Sequence, residues 1–344
     1  MDSTQKAPGE EGWAIDDPIV HLRLRGDSRR YVLPPAVEGT QLMIGAAETC
    51  QIVLHDLTSR VSRQHAVLAR GRQVWTVHDH GSTNGIWQDG ERRLSIELAP
   101  AVELEIGGVA LVAESARLIA LRAYLSRIIG WDLARGWDVD RGIQAVRSMA
   151  TRRAALVLCG DGDLHDIARQ LHLLAVGAER SFIMCHRDRM PPLHVASAGT
   201  FCFTDDTLPD DFAQIAATLT APTSRARLIV CSPSRDDATE AMVQIGRSVV
   251  IELPALDTRA AELEPLIIAY ADDTARAFGF ASHGFREHEM VWLRKIELKT
   301  LADVQELAHR LTILRNRNVG GGAELLGISH VALSRWAKRR GIPT

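Results

Sequence analysis

VSRQHAVLARGRQVWTVHDHGSTNG, residues 61–85, decides how the first third of the chain folds. Two short runs, HAVLAR and QVWTVHD, alternate apolar and polar side chains and are parted by Gly71. A period of two predicts a pair of strands rather than a helix. The pair would carry two polar loops side by side. One holds Ser62, Arg63 and His65; the other holds Ser82, Thr83, Asn84 and Gly85. Hydroxyls, a guanidinium and an amide in one place suit a phosphate-bearing peptide. The stretch has no nucleophile with a paired base and no metal-ligand cluster, so it does not suit catalysis.

Working outward, residues 19–113 read as many short strands. VHLRLRG alternates Val20, Leu22 and Leu24 against charged partners, and QLMIG, QIVLHD, GIWQ, VELEIGG and VALVAE follow. Pro34-Pro35, Gly81, Asp89-Gly90, Pro100 and Gly107-Gly108 separate the runs. Strands at this spacing predict an all-β sandwich.

IGAAETCQIVLHDLTSRVSRQHA, followed by DHGSTNGIWQDGER, resembles a forkhead-associated (FHA) domain over about 90 residues. Gly45, Ser62-x-x-His65 and Asn84-Gly85 fall in the family's order. The resemblance implies binding of a phosphothreonine protein partner, with Ser62 and Arg63 on the phosphate. Thr83 and Asn84 would hold phosphate and peptide backbone, while Gly45, His65 and Gly85 would be structural. One position departs from the family: Ala46 stands where it usually has Arg. A charge-assisted bond of that kind is worth about 1.5–3 kcal/mol, so affinity would fall roughly ten- to hundred-fold. Arg60 and Arg63 are the candidates to replace it. The alternative is a docking module indifferent to phosphate.

The full chain of 344 residues has room for two or three domains, and its net charge of -3 is unevenly spread. Residues 1–18 are acidic and predict a disordered tail, while residues 327–344 carry Arg335, Lys338, Arg339, Arg340 and no acid. A basic end on a near-neutral chain points to nucleic acid there. Cys50, Cys159, Cys185, Cys202 and Cys231 are scattered without metal spacing and read as small buried hydrophobes. The polar N-terminus is not a signal peptide, and no apolar run reaches the ~18 residues of a membrane span, so a cytoplasmic location is expected.

Residues 115–138 predict a connecting helix with a stripe of Leu118, Leu121, Leu125 and Ile128. Residues 139–284 alternate helices with unbroken apolar runs such as AALVLC, TFCFT and RLIVCS. That pattern predicts a parallel sheet covered on both faces. The order of pieces resembles the AAA+ domain of sigma-54 activators of the NtrC-like family. Its catalytic parts are absent. A phosphate-binding loop needs glycines and a Lys, but Gly160-Asp161-Gly162-Asp163 adds two carboxylates, and no Lys occurs between residues 7 and 294. Where the family has an Asp-Glu pair this chain reads Thr204-Asp205. Asp205 and Asp206 read as solvated loop acids rather than a cation site. Gln305 replaces the family's sensing Arg, and a short link with Pro191-Pro192 replaces the sigma-54 contact loop. The expectation is a degenerate scaffold with no cofactor, no metal and no enzymatic activity.

Residues 285–344 predict a helical lid followed by NVGGGAELLGISHVALSRWAKRRGIPT, a helix-turn-helix pattern with Gly327 at the turn and Ser329 as N-cap. AELLGISHVALSRWAKRRGI resembles the Fis-type DNA-binding tail of the same activators. The resemblance implies that His330, Val331, Ser334 and Arg335 reach base edges of double-stranded DNA, and that Lys338, Arg339 and Arg340 meet phosphates. Gly320-Gly321-Gly322 would make the first of these helices start late or fray. A multidomain regulator results: FHA sandwich, α/β AAA+-like domain, all-α lid and helix-turn-helix. One motif per chain reads half a site, so a homodimer on a palindrome is expected. The rival readings are an active sigma-54-dependent ATPase and an FHA adaptor without DNA binding.

Overall fold

The computed structural model describes residues 13, 15, 17–35, 37–131, 135–160, 162–185, 198–204, 208–281, 285, 289, 293, 296–340 and 342. Asp161, Pro191, Pro192, Asp205 and Asp206 lie outside the described residues. Contacts divide the chain into two compact units, residues 1–159 with 164–253, and residues 160–163 with 254–344.

The first unit begins with the expected sandwich. One sheet holds β1 (Ile19–Leu24), β2 (Arg30–Val32), β7 (Ile86–Gln88), β8 (Glu91–Arg93), β10 (Glu103–Ile106) and β11 (Val109–Ser115), in the order β2-β1-β11-β10-β7-β8. The other holds β3 (Gln41–Gly45), β4 (Ile52–Val53), β5 (Ala66–Arg70), β6 (Trp75–Asp79) and β9 (Ser95–Leu98), in the order β4-β3-β5-β6-β9. All pairings are antiparallel except β3 with β4. Leu22, Ile44, Leu68, Trp75, Val77, Ile86 and Leu111 fill the space between the sheets. The alternating pattern is what allows each strand to give one face to this core.

β1 departs from the simple alternation. Arg23 is 2 % exposed although it sits on the charged face of the strand. That face is not open to water, because helices α1 (Ala116–Ile129) and α2 (Gly136–Ala150) follow β11 and pack there. The Arg23 Nε donates to Glu114 at 2.7 Å, and its guanidinium also pairs with Asp140 of α2. Glu114 also forms an ion pair with Arg122 at 2.9 Å, and Asp140 accepts the Gly26 N–H at 2.6 Å. Buried charge is costly unless it is fully partnered, and this cluster ties the sandwich to α2 at the exact positions where charge is buried. Arg25 over Trp137 and Gln144 on the Ala101 carbonyl extend the junction.

The acidic N-terminal segment also differs at its end from the disordered tail expected there. Ile15 is fully buried, and Asp17 accepts the Arg117 N–H in the first turn of α1. An apolar anchor and a carboxylate at a helix N-terminus fix this short stretch.

Beyond α2 comes an all-parallel sheet of β12 (Ala155–Cys159), β13 (Phe182–Met184), β14 (Thr200–Thr204), β15 (Arg227–Ser232) and β16 (Ser248–Glu252). Its spatial order is β13-β14-β15-β12-β16. Helices α2 and α3 (Leu164–Ala175) pack together on it, as do α4 (Phe212–Leu219) and α5 (Arg235–Ile245). Every residue of β12 and β15 is buried, as unbroken apolar strands of a covered parallel sheet require. All five cysteines are buried free thiols.

In the second unit, α6 (Leu263–Phe278) and α7 (Leu301–Asn316) pack side by side, with α8 (Val319–Leu325) and α9 (His330–Arg339) following. Leu266, Tyr270, Val304, Leu307, Leu311, Ala323, Leu333 and Trp336 share its core. Thr300 and Asp303 form a reciprocal capping box at the start of α7. No helix among the described residues is long and apolar enough to cross a membrane.

Candidate functional site

β5 and β6 are antiparallel, with Ala66 opposite Asp79. The loop entering β5 and the loop leaving β6 therefore meet at one end of the sheet. His65 joins them. It is fully buried, its Nδ1 accepts the Ser62 N–H at 2.9 Å, and its Nε2 lies 3.0 Å from the Gly85 carbonyl. An amide donor on one side and a carbonyl on the other place the ring proton on Nε2.

Further bonds stitch the two loops. The Thr83 N–H donates to the Ser62 Oγ at 3.3 Å, and the Asn84 Nδ2 donates to the Arg60 carbonyl at 2.7 Å. Ser82 accepts the Gly85 N–H at 2.9 Å and donates to Asp79. These bonds leave some donor and acceptor functions free. Ser62 accepts through its oxygen and keeps its O–H to give away. Asn84 commits its amide nitrogen and keeps its side-chain carbonyl oxygen free to accept. Ser62, Thr83 and Asn84 thus form one crest, as their sequence positions suggested.

Neighbouring loops support that crest. Gly45 is required by a close approach: a β-carbon there would fall 2.2 Å from the Arg63 carbonyl oxygen. The Ala46 and Ala47 N–H groups reach the Ser62 and Arg63 carbonyls at 3.0 and 3.1 Å. Asp56 accepts from Thr58 Oγ1 and from the Thr58 and Val61 N–H groups at 2.6, 2.7 and 3.0 Å, and also from the Arg60 N–H. The Thr58 hydroxyl first, then the backbone donors, hold its carboxyl down to about 2.

Ala46 is exposed beside Ser62 and brings no charge. The Arg60 guanidinium runs along the turn after β10, with a nitrogen 3.4 Å from where a Gly108 β-carbon would stand. Arg63 is exposed and meets no carboxylate among the described residues. Arg92, on β8, was missed by motif reading. Its Nε lies 2.3 Å from the position of a Gly85 β-carbon, so the guanidinium covers the Asn84-Gly85 end of the crest. Nothing in its spacing from Asn84 announces this; the β7–β8 pairing of Trp87 with Arg92 brings it there.

The carboxyl edge of the parallel sheet has a different chemistry. Asp210, Asp211, Asp236, Asp237 and Glu252 stand in or beside the segments leaving β14, β15 and β16. Arg235 pairs with Glu252 at 3.4 Å. Within the second unit, a β-carbon on Gly162 would lie 3.8 Å from the Thr300 β-carbon. Among the described residues, no group of three His, Cys, Asp or Glu side chains is placed to hold a metal ion.

The tail forms two helices across a tight turn. Asn318 caps α8 by accepting the Gly321 N–H at 2.8 Å, and Ser329 caps α9 by accepting the Ala332 N–H at 3.1 Å. The glycine run does not delay α8, which begins at Val319. Gly322 sits in tight packing, since a β-carbon there would stand 3.2 Å from Ile313 and 3.3 Å from Leu333. Leu333, Trp336 and Ala337 anchor α9, while His330, Val331, Arg335, Lys338 and Arg339 are exposed and Ser334 is half-buried. Arg340 is half-buried. Its guanidinium lies 4.8 Å from the Trp336 ring, and Arg310 of α7 lies 5.3 Å from the same ring. Arg340 therefore contributes to the anchor.

Comparison with known proteins places likeness in the sandwich. A family model described as the inner membrane component of T3SS, cytoplasmic domain, matches residues 24–116. Among solved structures, one from a study of phosphothreonine-dependent FHA domain interactions is 28% identical, with 28% of this chain and 94% of that chain covered and a TM-score of 0.25. The FhaA FHA domain, solved in complex with an intracellular domain, is 29% identical over 27% of this chain and 96% of that chain, with a TM-score of 0.24. Mycobacterium tuberculosis EmbR in complex with a low-affinity phosphopeptide is 26% identical over 28% of this chain and 24% of that chain, with a TM-score of 0.25. No curated protein matches the chain.

Proposed function

We propose that this chain is a phosphothreonine-reading transcriptional regulator. Its sandwich binds a phosphorylated protein, its tail binds double-stranded DNA, and its α/β sheet is a scaffold without ATPase activity. The observation that carries the reading is the crest, where Ser62, Thr83 and Asn84 are held together by the buried His65 with a hydroxyl proton and an amide oxygen to spare. Arg63 and Arg92 supply positive charge in place of the absent side chain at Ala46. The exposed face of α9 supports the DNA assignment, because Val331, Arg335 and Lys338 recur at helical spacing. Five carboxylates beside the sheet's carboxyl edge disfavour a triphosphate.

The test is a titration of phosphothreonine peptides and their unphosphorylated twins by fluorescence anisotropy. Binding should require the phosphate and fall about tenfold, or 1.4 kcal/mol, in Ser62→Ala and in Asn84→Ala. Equal binding of both peptide forms would replace this reading with phosphate-independent docking. For the tail, gel shifts on genomic fragments should show a preference that Arg335→Ala removes. If both proteins shift all fragments alike, sequence readout by α9 is wrong.

A further inference from the structure

The opposite edge of the parallel sheet, where its strands begin, carries a concentration of arginine. The connections into β12, β13, β15 and β16 each contribute. Arg152 and Arg153 precede β12, Arg180 precedes β13, Arg225 precedes β15, Arg227 starts β15, and Arg247 precedes β16. Parallel topology is what gathers them, since every strand starts at the same edge. Glu179 is the one carboxylate in the described connections of this edge, and its side chain lies against Gly177.

Arg227 shows how crowded with positive charge the edge is. It is 5% exposed, and its Nε and NH1 donate to the Ala150 and Ala198 carbonyls at 2.7 and 3.0 Å. Burial first, then the charges of Arg152 and Arg180, push its pKa down to about 10. Around it Arg153, Arg180, Arg225 and Arg247 are exposed and form no ion pair among the described residues. Like charges brought this close raise the energy of the isolated protein, and an anion laid across the edge lowers it.

We infer that this amino edge is a second nucleic-acid surface, which grips the phosphate backbone of double-stranded DNA without reading its sequence. The dimensions suit such a polyanion. Strands lie about 4.8 Å apart, so β13 to β16 span about 19 Å. Duplex DNA carries a charge every ~1.7 Å along its axis with both strands counted, so that span holds on the order of ten phosphates, a part of which face the edge. Arginine forks also match phosphate oxygens bidentately. The guanidinia sit on separate loops along an edge, which suits a stiff rod of charge better than a short acidic peptide. The choice of DNA among polyanions rests on the proposed role of α9; the surface itself does not.

The experiment uses the full chain in three forms: wild type, the edge variant Arg153→Ala/Arg225→Ala/Arg247→Ala, and the α9 variant Arg335→Ala/Lys338→Ala. Affinity for a random-sequence duplex is measured from 50 to 200 mM salt, with polyglutamate as a second ligand. All three edge arginines are exposed, so an unchanged melting temperature certifies folding. The edge variant should bind DNA about 10- to 100-fold more weakly at low salt, with a salt slope reduced by about one per arginine removed. Its preference among sequences should not change. If the α9 variant keeps wild-type specificity while the edge variant weakens, the edge stands and the helix-turn-helix reading falls. Wild-type affinity and slope in the edge variant would overturn the inference, and so would loss of polyglutamate binding with DNA binding intact.

Discussion

The crest of the sandwich and the carboxyl edge of the parallel sheet are both places where a sheet gathers polar loops. They differ in how the loops are held and charged. At the crest, His65, Ser82 and Asp56 take up backbone donors and acceptors, and hydroxyl and amide functions are left over. At the carboxyl edge the loops carry Asp210, Asp211, Asp236, Asp237 and Glu252. A phosphate needs donors and positive charge, so the first arrangement invites it and the second repels it. Strand order depends on apolar residues and ligand chemistry on a few loop side chains, so two sheets can present opposite charge at their loops.

The comparison breaks most severely at the junction beside it. Asp140→Ala leaves the buried Arg23 with one of its two carboxylates and should cost about 3–5 kcal/mol in denaturant unfolding; a loss below 1 kcal/mol would mean the charge cluster is not what joins sandwich to helix. His65→Ala strips partners from the Ser62 N–H and the Gly85 carbonyl, and should cost about 2–4 kcal/mol and all phosphopeptide affinity. Retained binding would show that the crest does not depend on the ring. Ala46→Arg sharpens the contrast by adding charge where the crest lacks it, with a gain of about tenfold in affinity expected by titration. No gain would mean that Arg63 and Arg92 already saturate the phosphate.

Acid should act on the crest through Asp56. Its folded pKa, about 2, lies below the ordinary aspartate value of 3.8. Its stabilisation is therefore complete above pH 4 or so and is lost as pH falls through about 2. Amide exchange at Thr58, Arg60 and Val61 should accelerate over that window, and Asp56→Asn should flatten the response. The smallest expected effect is none: Mg-ATP should give no saturable heat and no phosphate release. Hydrolysis by the purified chain would end the contrast between the two edges.

Most of the sandwich was legible because one side of each sheet packs on a core, and alternation records that. Arg23 was misread by the same rule, since helices cover the second side of β1 and no period of two can announce it. The crest was legible because its loops are close in sequence as well as in space. Arg92 and the arginines of the amino edge were not, because each stands alone in its own segment and only strand pairing assembles them. The glycines of α8 were read by propensity, which ignores that Gly322 lets α8 approach Leu333.

Trp336, held between Arg310 and Arg340, separates two duties within the ten residues of α9. Leu333, Trp336 and Ala337 fasten the helix, and His330, Val331, Arg335 and Lys338 face outward. The two sets share no side chain. Selection can therefore rewrite the outward set without loosening the clamp, so related chains could diverge in target while keeping one tail architecture.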